Sequence, residues 1–226
     1  MQTLRWHTIS SLTDLQRTLA DKICTLANAC IAEKNSFSLV LAGGTTPRDI
    51  YAQLRSCKTD WARWQIYFGD ERCLPIGDAD HNDSMARAAW LDHVDIPPHN
   101  IHAIPAHLPS SACIVQYTET LKTVPAFDLV LLGLGEDGHT ASLFPNQDWG
   151  SADDAPALLA VSDAPKPPAA RISLSARRLS LSNRVWFIVA GLNKRDAIAR
   201  WQAGEKLPAS AIRPANGVDI FIVDHA

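Results

Sequence analysis

The sequence predicts a doubly wound α/β fold: a mostly parallel, Rossmann-like sheet with helices on both faces, formed as one domain over residues 1–226. Three observations carry that expectation. Apolar runs of strand length recur along the chain, segments with helical apolar spacing separate most of them, and glycine-rich turns follow several of the runs. Continuous apolar strands read as buried on both sides, the condition of a parallel sheet covered by helices.

In chain order, Leu12, Leu15, Leu19, Ile23, Leu26 and Ile31 recur at steps of three, four or five, an apolar stripe along a long first helix. Phe37 to Ala42 reads as the first strand, Asp49 to Ser56 as a helix and Trp64 to Gly69 as the next strand. Asp83 to His93 and Ser111 to Lys122 read as helices, and Phe127 to Gly133 as a central strand. A weaker strand at Arg171 to Ser175 is followed by a strand at Val185 to Ala190, a helix over Lys194 to Ala203 and a last strand at Val218 to Val223. The Pro-rich stretch Ser162 to Pro168 is too short to link domains and runs straight into a strand, and no internal repeat divides the chain.

Hydrophobic residues make up 46% and charged residues 20% of the chain, enough to fill a core. A formal charge of -3, with both signs interspersed, gives no basic stripe for nucleic acid, so an anionic ligand has to be met by a few local cations. Cys24, Cys30, Cys57, Cys73 and Cys113 are odd in number and scattered, with neither C-x-x-C nor zinc-type spacing, and read as buried or incidental thiols. The first residues, MQTLRWHTISSLTDLQ, lack the apolar core of a signal peptide, and no run approaches the ~20 residues that span a bilayer. The expected location is the reducing cytoplasm.

In such sheets ligands bind beyond the carboxyl ends of the strands, so motifs just after strands weigh most. LVLAGGTTP places Gly43, Gly44 and Thr45 in a turn before a helix, where bare backbone and free amides suit an anion; a plain turn with a threonine cap is the competing reading. The turn lacks both G-x-G-x-x-G and G-K-[ST], which argues against dinucleotides and nucleoside triphosphates. WQIYFGDERCLP brings Asp70, Glu71 and Arg72 directly behind a buried strand, with Arg72 fit to hold a phosphate and the acids to orient it; an internally paired charged loop is the alternative. FDLVLLGLGEDGHTASLFP is the strongest signal. His139, in a glycine-rich turn after a central strand, is placed to act as a general base, with Asp137 fixing its tautomer. Lys166 and Arg171 precede one strand, and Lys194 follows another.

Together AGGTTP, FGDERCLP, GEDGHTASLFP, KPPAARISLS and AGLNKRDAI resemble the 6-phosphogluconolactonase family, which shares its fold with glucosamine-6-phosphate deaminases, over about residues 37 to 198. The resemblance implies hydrolysis of 6-phosphoglucono-1,5-lactone to 6-phosphogluconate in the oxidative pentose phosphate route. It implies His139 as general base and Asp137 as its partner. Arg72, Lys166, Arg171 and Lys194 become candidates for the phosphate or the developing oxyanion, and Gly43, Gly44, Thr45 and Asp70 for the substrate cleft. Many members follow the D-E-R turn with Ser-Asn, where this chain reads HNDSMARAAW; Asn82, or Ser84, is the candidate for that role.

The chemistry agrees. A lactone is an activated ester that needs a base, oxyanion donors and a proton for the leaving ring oxygen. No H-E-x-x-H, His/Asp cluster or G-x-S-x-G suggests a metal or a covalent serine, so neither cofactor nor metal is expected. The deaminases typically continue the turn as I-A-F-N-E-P, whereas Thr140 to Pro145 lacks the Asn-Glu pair. A sugar-phosphate sensor is the rival from another class, and the first helix leading straight into the first strand leaves no room for a helix-turn-helix. Oligomeric state leaves no signal in the sequence.

Overall fold

Unbroken apolar runs become the centre of a parallel sheet, and half-polar ones become its edges. The computed structural model describes residues 2–223. In chain order these contain β1 (Leu4–Ile9), α1 (Leu12–Lys34), β2 (Phe37–Leu41), α2 (Thr45–Leu54), β3 (Trp64–Phe68), β4 (Asp70–Arg72), α3 (Asn82–Ala89) and β5 (Ile101–His102). There follow α4 (Ser110–Leu121), β6 (Leu129–Gly133), β7 (Leu158–Val161), β8 (Arg171–Leu174), α5 (Ala176–Ser180), β9 (Val185–Ala190), α6 (Arg195–Gln202) and β10 (Val218–Val223).

Seven strands form one sheet in the order β1-β10-β9-β6-β2-β3-β5, and every pairing in it is parallel. All five residues of β2 are buried, while the edge strand β1 keeps Arg5, His7 and Thr8 exposed. Period-2 alternation sends Trp64 and Tyr67 of β3 to opposite faces. On one face Trp64 packs edge-on against Trp90 at the end of α3, and Tyr51 of α2 lies 6.0 Å from the same ring. On the other face Tyr67 meets Phe127, beneath the Arg178 guanidinium of α5, and Tyr117 of α4 donates from its hydroxyl to the His102 carbonyl. Helices therefore cover both faces, as expected.

The first helix starts and stops on local signals. The Ser11 hydroxyl accepts the Asp14 N–H at its N-terminus, and Asn35 takes a left-handed φ of 60° at its C-terminus. Leu15, Leu19, Ile23 and Ala27 on its inner stripe are fully buried.

Three expectations need correction. The weak strand at Arg171 does not join the parallel sheet: β4, β8 and β7 form a separate antiparallel sheet of three strands. Its members are short and partly charged, so their pairing comes from what folds around them. Strands β1, β4, β5 and β7 were not anticipated: β1 mixes polar with apolar residues, β4 and β5 are only three and two residues long, and the apolar β7 is only four. Not all five cysteines are thiols: Cys24 of α1 and Cys57, just past α2, form a disulfide with Cα atoms 5.9 Å apart. Their 33-residue separation carries no motif, and the packing of α1 on α2 brings them together. Among the described residues no helix is long and apolar enough to cross a membrane.

Candidate active site

The chain runs from β2 outward through β3 to β5, then returns to the other side of β2 as β6 and continues to β9 and β10. The strand order therefore reverses between β2 and β6, and the loops beyond these two carboxyl ends diverge to leave a crevice. A cavity of about 360 Å³ sits there, walled by the turns after β2, β3, β6 and β9 and by the segment leading into β8.

After β6 the chain makes a tight turn, in which the Gly135 N–H donates to the His139 carbonyl at 2.7 Å and the Gly138 N–H to the Gly135 carbonyl. The Asp137 carboxylate accepts the His139 N–H at 3.1 Å and lies 2.5 Å from its Nδ1. A carboxylate only accepts, so Nδ1 carries the proton and Nε2 is left as the basic nitrogen. A Cβ on Gly135 would stand 2.0 Å from His139 Nδ1, which is why only glycine fits beneath the ring. Phe144 braces the imidazole with its ring 4.9 Å away. Burial alone would raise the Asp137 carboxyl, but the bonds and charge of His139 outweigh it and hold the group below its ordinary range.

The charged segment after β3 is built around two buried acids. Glu71, 1% exposed, accepts the backbone N–H groups of Arg72, Asn82 and Asp83 through its two oxygens, so one side chain caps α3 and fixes the backbone of Arg72. Burial pushes its carboxyl up, with those three donors pulling the other way. Asp70 accepts the Ser142 hydroxyl and, at 3.4 Å, the Asn82 amide, tying β4 to the histidine turn. The Asn82 amide also donates to the Asp70 carbonyl at 2.8 Å. Its oxygen faces Gly43, where an added Cβ would come within 2.1 Å. The acids do not orient the Arg72 guanidinium as expected: it donates to the Asp80 carbonyl, and Glu71 alone bonds Arg72, through its backbone N–H.

Arg171 is buried and donates to the carbonyls of Pro168 and Lys166, with its guanidinium 5.8 Å from the Phe144 ring centre. Burial lowers its pKa and that of Lys194, the latter further depressed by the charge of Lys166. Arg72, Lys166, Arg171 and Lys194 come from three separate segments and line one cavity with His139. Cations that repel one another across a cleft favour an anion between them.

A family model described as glucosamine-6-phosphate isomerases/6-phosphogluconolactonase matches residues 10–221. The chain belongs to this family. The 6-phosphogluconolactonase of a Synechocystis strain is 36% identical over 215 residues, covering 89% of this chain and 88% of that protein. That of a Nostoc strain is 37% identical over 190 residues, covering 80% of this chain and 77% of its own. The solved 6-phosphogluconolactonase of Thermotoga maritima superposes with a TM-score of 0.90 at 26% identity, covering 97% of this chain and 99% of its own. The Trypanosoma brucei enzyme of the same name superposes at 0.86 and 25% identity, covering 98% and 97%.

Within this family fold, Gly43, Gly44, Asp70, Arg72, Asn82, His139, Lys166, Arg171 and Lys194 all border the cavity, and Asp137 stands behind His139. Thr45 does not: it is exposed on the first turn of α2 and lies outside the lining, because the helix starts at that residue. Ser84 also lies outside it. Thr140 and Phe144 line the cavity and were missed, as was the clamp of Glu71 and the bond of Ser142 to Asp70. Phe144 and Ser142 sit inside the motif that was read, but nothing in their spacing tells which way their side chains point. Glu71 carried no legible signal: it stands 11 and 12 residues before the two helix-start amides it accepts, too far for any local capping pattern.

Proposed function

We propose that the protein is a 6-phosphogluconolactonase, hydrolysing 6-phospho-D-glucono-1,5-lactone to 6-phospho-D-gluconate and acting as one domain. The observation that carries the reading is the Asp137–His139 pair set into a cavity with four cations. His139 Nε2 takes a proton from water as the water oxygen attacks the lactone carbonyl carbon. The carbonyl oxygen becomes an oxyanion that a neighbouring cation stabilises, and a second group of cations holds the phosphate. Collapse of the tetrahedral intermediate breaks the bond to the ring oxygen, and the imidazolium returns its proton there. Asp137 stabilises the imidazolium between the two transfers. The sequence moves one proton out and back and transfers no electrons, so it calls for no coenzyme. A phosphorylated, membrane-impermeant substrate agrees with a cytoplasmic location.

The family also includes glucosamine-6-phosphate isomerases, which makes ring opening with loss of ammonia the second reading. The segment Thr140 to Pro145, which borders the cavity next to His139, contains no carboxylate to assist ring opening. Purified protein assayed on freshly generated 6-phosphogluconolactone, with spontaneous hydrolysis subtracted, should accelerate opening. No acceleration, together with ammonia release from glucosamine 6-phosphate, would transfer the assignment to the second reading.

A further inference from the structure

Among the described residues, three buried side-chain atoms have no hydrogen-bond partner: Arg72 Nε, Trp90 Nε1 and Thr140 Oγ1. Trp90 lies in a cluster of aromatic rings, but Arg72 and Thr140 both line the cavity that holds His139. A buried hydroxyl without a partner destabilises a fold, and native chains keep few of them. Thr140 is 1% exposed, and its backbone is pinned on both sides: its carbonyl accepts the Leu143 N–H at 2.9 Å, and the preceding His139 is bonded to Asp137. The next hydroxyl in the turn, that of Ser142, is committed to Asp70. Thr140 thus holds an unspent hydroxyl on a pinned backbone, one residue from the base, about 3.8 Å along the chain.

We propose that Thr140 is a catalytic residue, whose Oγ–H turns into the cavity when substrate binds and donates a hydrogen bond to the lactone carbonyl oxygen as that oxygen gains charge. The assignment rests on the lactonase reading above. A carbonyl oxygen offers acceptor sites alone, so the hydroxyl is the donor, and its nearness to His139 puts it at the reacting end of the substrate rather than at the phosphate. A bond that strengthens as charge develops acts on turnover more than on affinity.

The test compares wild type with Thr140→Val, which removes the hydroxyl at nearly constant volume, and Thr140→Ser, which keeps it. The valine variant should lose at least ~10-fold in kcat/KM, mostly in kcat, on both the phosphorylated and the unphosphorylated lactone. Its melting temperature should hold or rise, since an unpaired buried polar atom is gone. The serine variant should retain most of the activity. A wild-type protein without lactonase activity would overturn the reading on which this rests. An active wild type matched by the valine variant would overturn the inference alone. A valine variant whose melting temperature falls along with its activity would assign the hydroxyl to the fold and overturn it too, and a loss confined to the phosphorylated substrate would overturn its placement.

Discussion

The imidazole of His139 is held by a single carboxylate, and this defines two measurements. His139→Ala should lower turnover on 6-phosphogluconolactone by ~100-fold to 10,000-fold while leaving the far-UV spectrum unchanged, because general base catalysis contributes on that scale. Near-normal turnover would remove the residue from the mechanism. Asp137 is a carboxyl whose folded pKa lies below its ordinary 3.8, so it contributes stability above that value and loses it as pH falls through the folded one. The urea midpoint of wild type should therefore exceed that of Asp137→Asn at pH 7, with the gap closing below pH 3.8. A gap independent of pH would show that the carboxylate charge does not matter to the pair. Glu71 makes a different case, since its oxygens meet only N–H donors. In Glu71→Gln an NH2 group would face one of those donors, costing about 1–3 kcal/mol in chemical denaturation and raising KM through a displaced Arg72 and Asn82. Unchanged stability would mean that the clamp is relieved by water.

Among the elements, the joint between α1 and α2 is covalent as well as packed. A disulfide closing a loop of 33 residues restricts the unfolded chain by about 3 to 4 kcal/mol in the chain-entropy model. Cys24→Ser, or wild type kept in reductant, should melt at a lower temperature, with lactonase activity per folded molecule unchanged because neither cysteine lines the cavity. Thiol titration of the unfolded, unreduced chain should count three thiols, those of Cys30, Cys73 and Cys113; a count of five would show that the bond does not form in solution. The small antiparallel sheet has a comparable role beside the cleft. Its pairing of Arg72 with Arg171 across β4 and β8 fixes the spacing of two cations that no local sequence rule would bring together.

At the scale of the whole molecule, a chain of formal charge -3 concentrates Arg72, Lys166, Arg171 and Lys194 around one cavity. Two charge-assisted bonds of about 1.5 to 3 kcal/mol each make the phosphate worth at least ~100-fold in kcat/KM. Unphosphorylated gluconolactone should be poorer by that factor, and Arg72→Ala should penalise the phosphorylated lactone alone; equal kcat/KM on both lactones would show that the cations serve another purpose. The hydrophobic pattern by itself determined the parallel sheet, since runs such as Phe37 to Leu41 and Val185 to Ala190 can be satisfied only by burial on both sides. It determined the histidine turn as well, because glycine spacing around His139 is a local steric requirement. The edge strand β1, the short strands β4, β5 and β7, the Cys24–Cys57 bond and the clamp of Glu71 depend on partners outside their own segment, 11 residues away for Glu71 and Asn82 and at the far end of the chain for β1. The Thr140 hydroxyl is orphaned by how the chain packs around it. Only the tertiary structure decided these, because burial and hydrogen bonding between distant segments are properties of the packed chain and leave no periodicity in the sequence that folds into it.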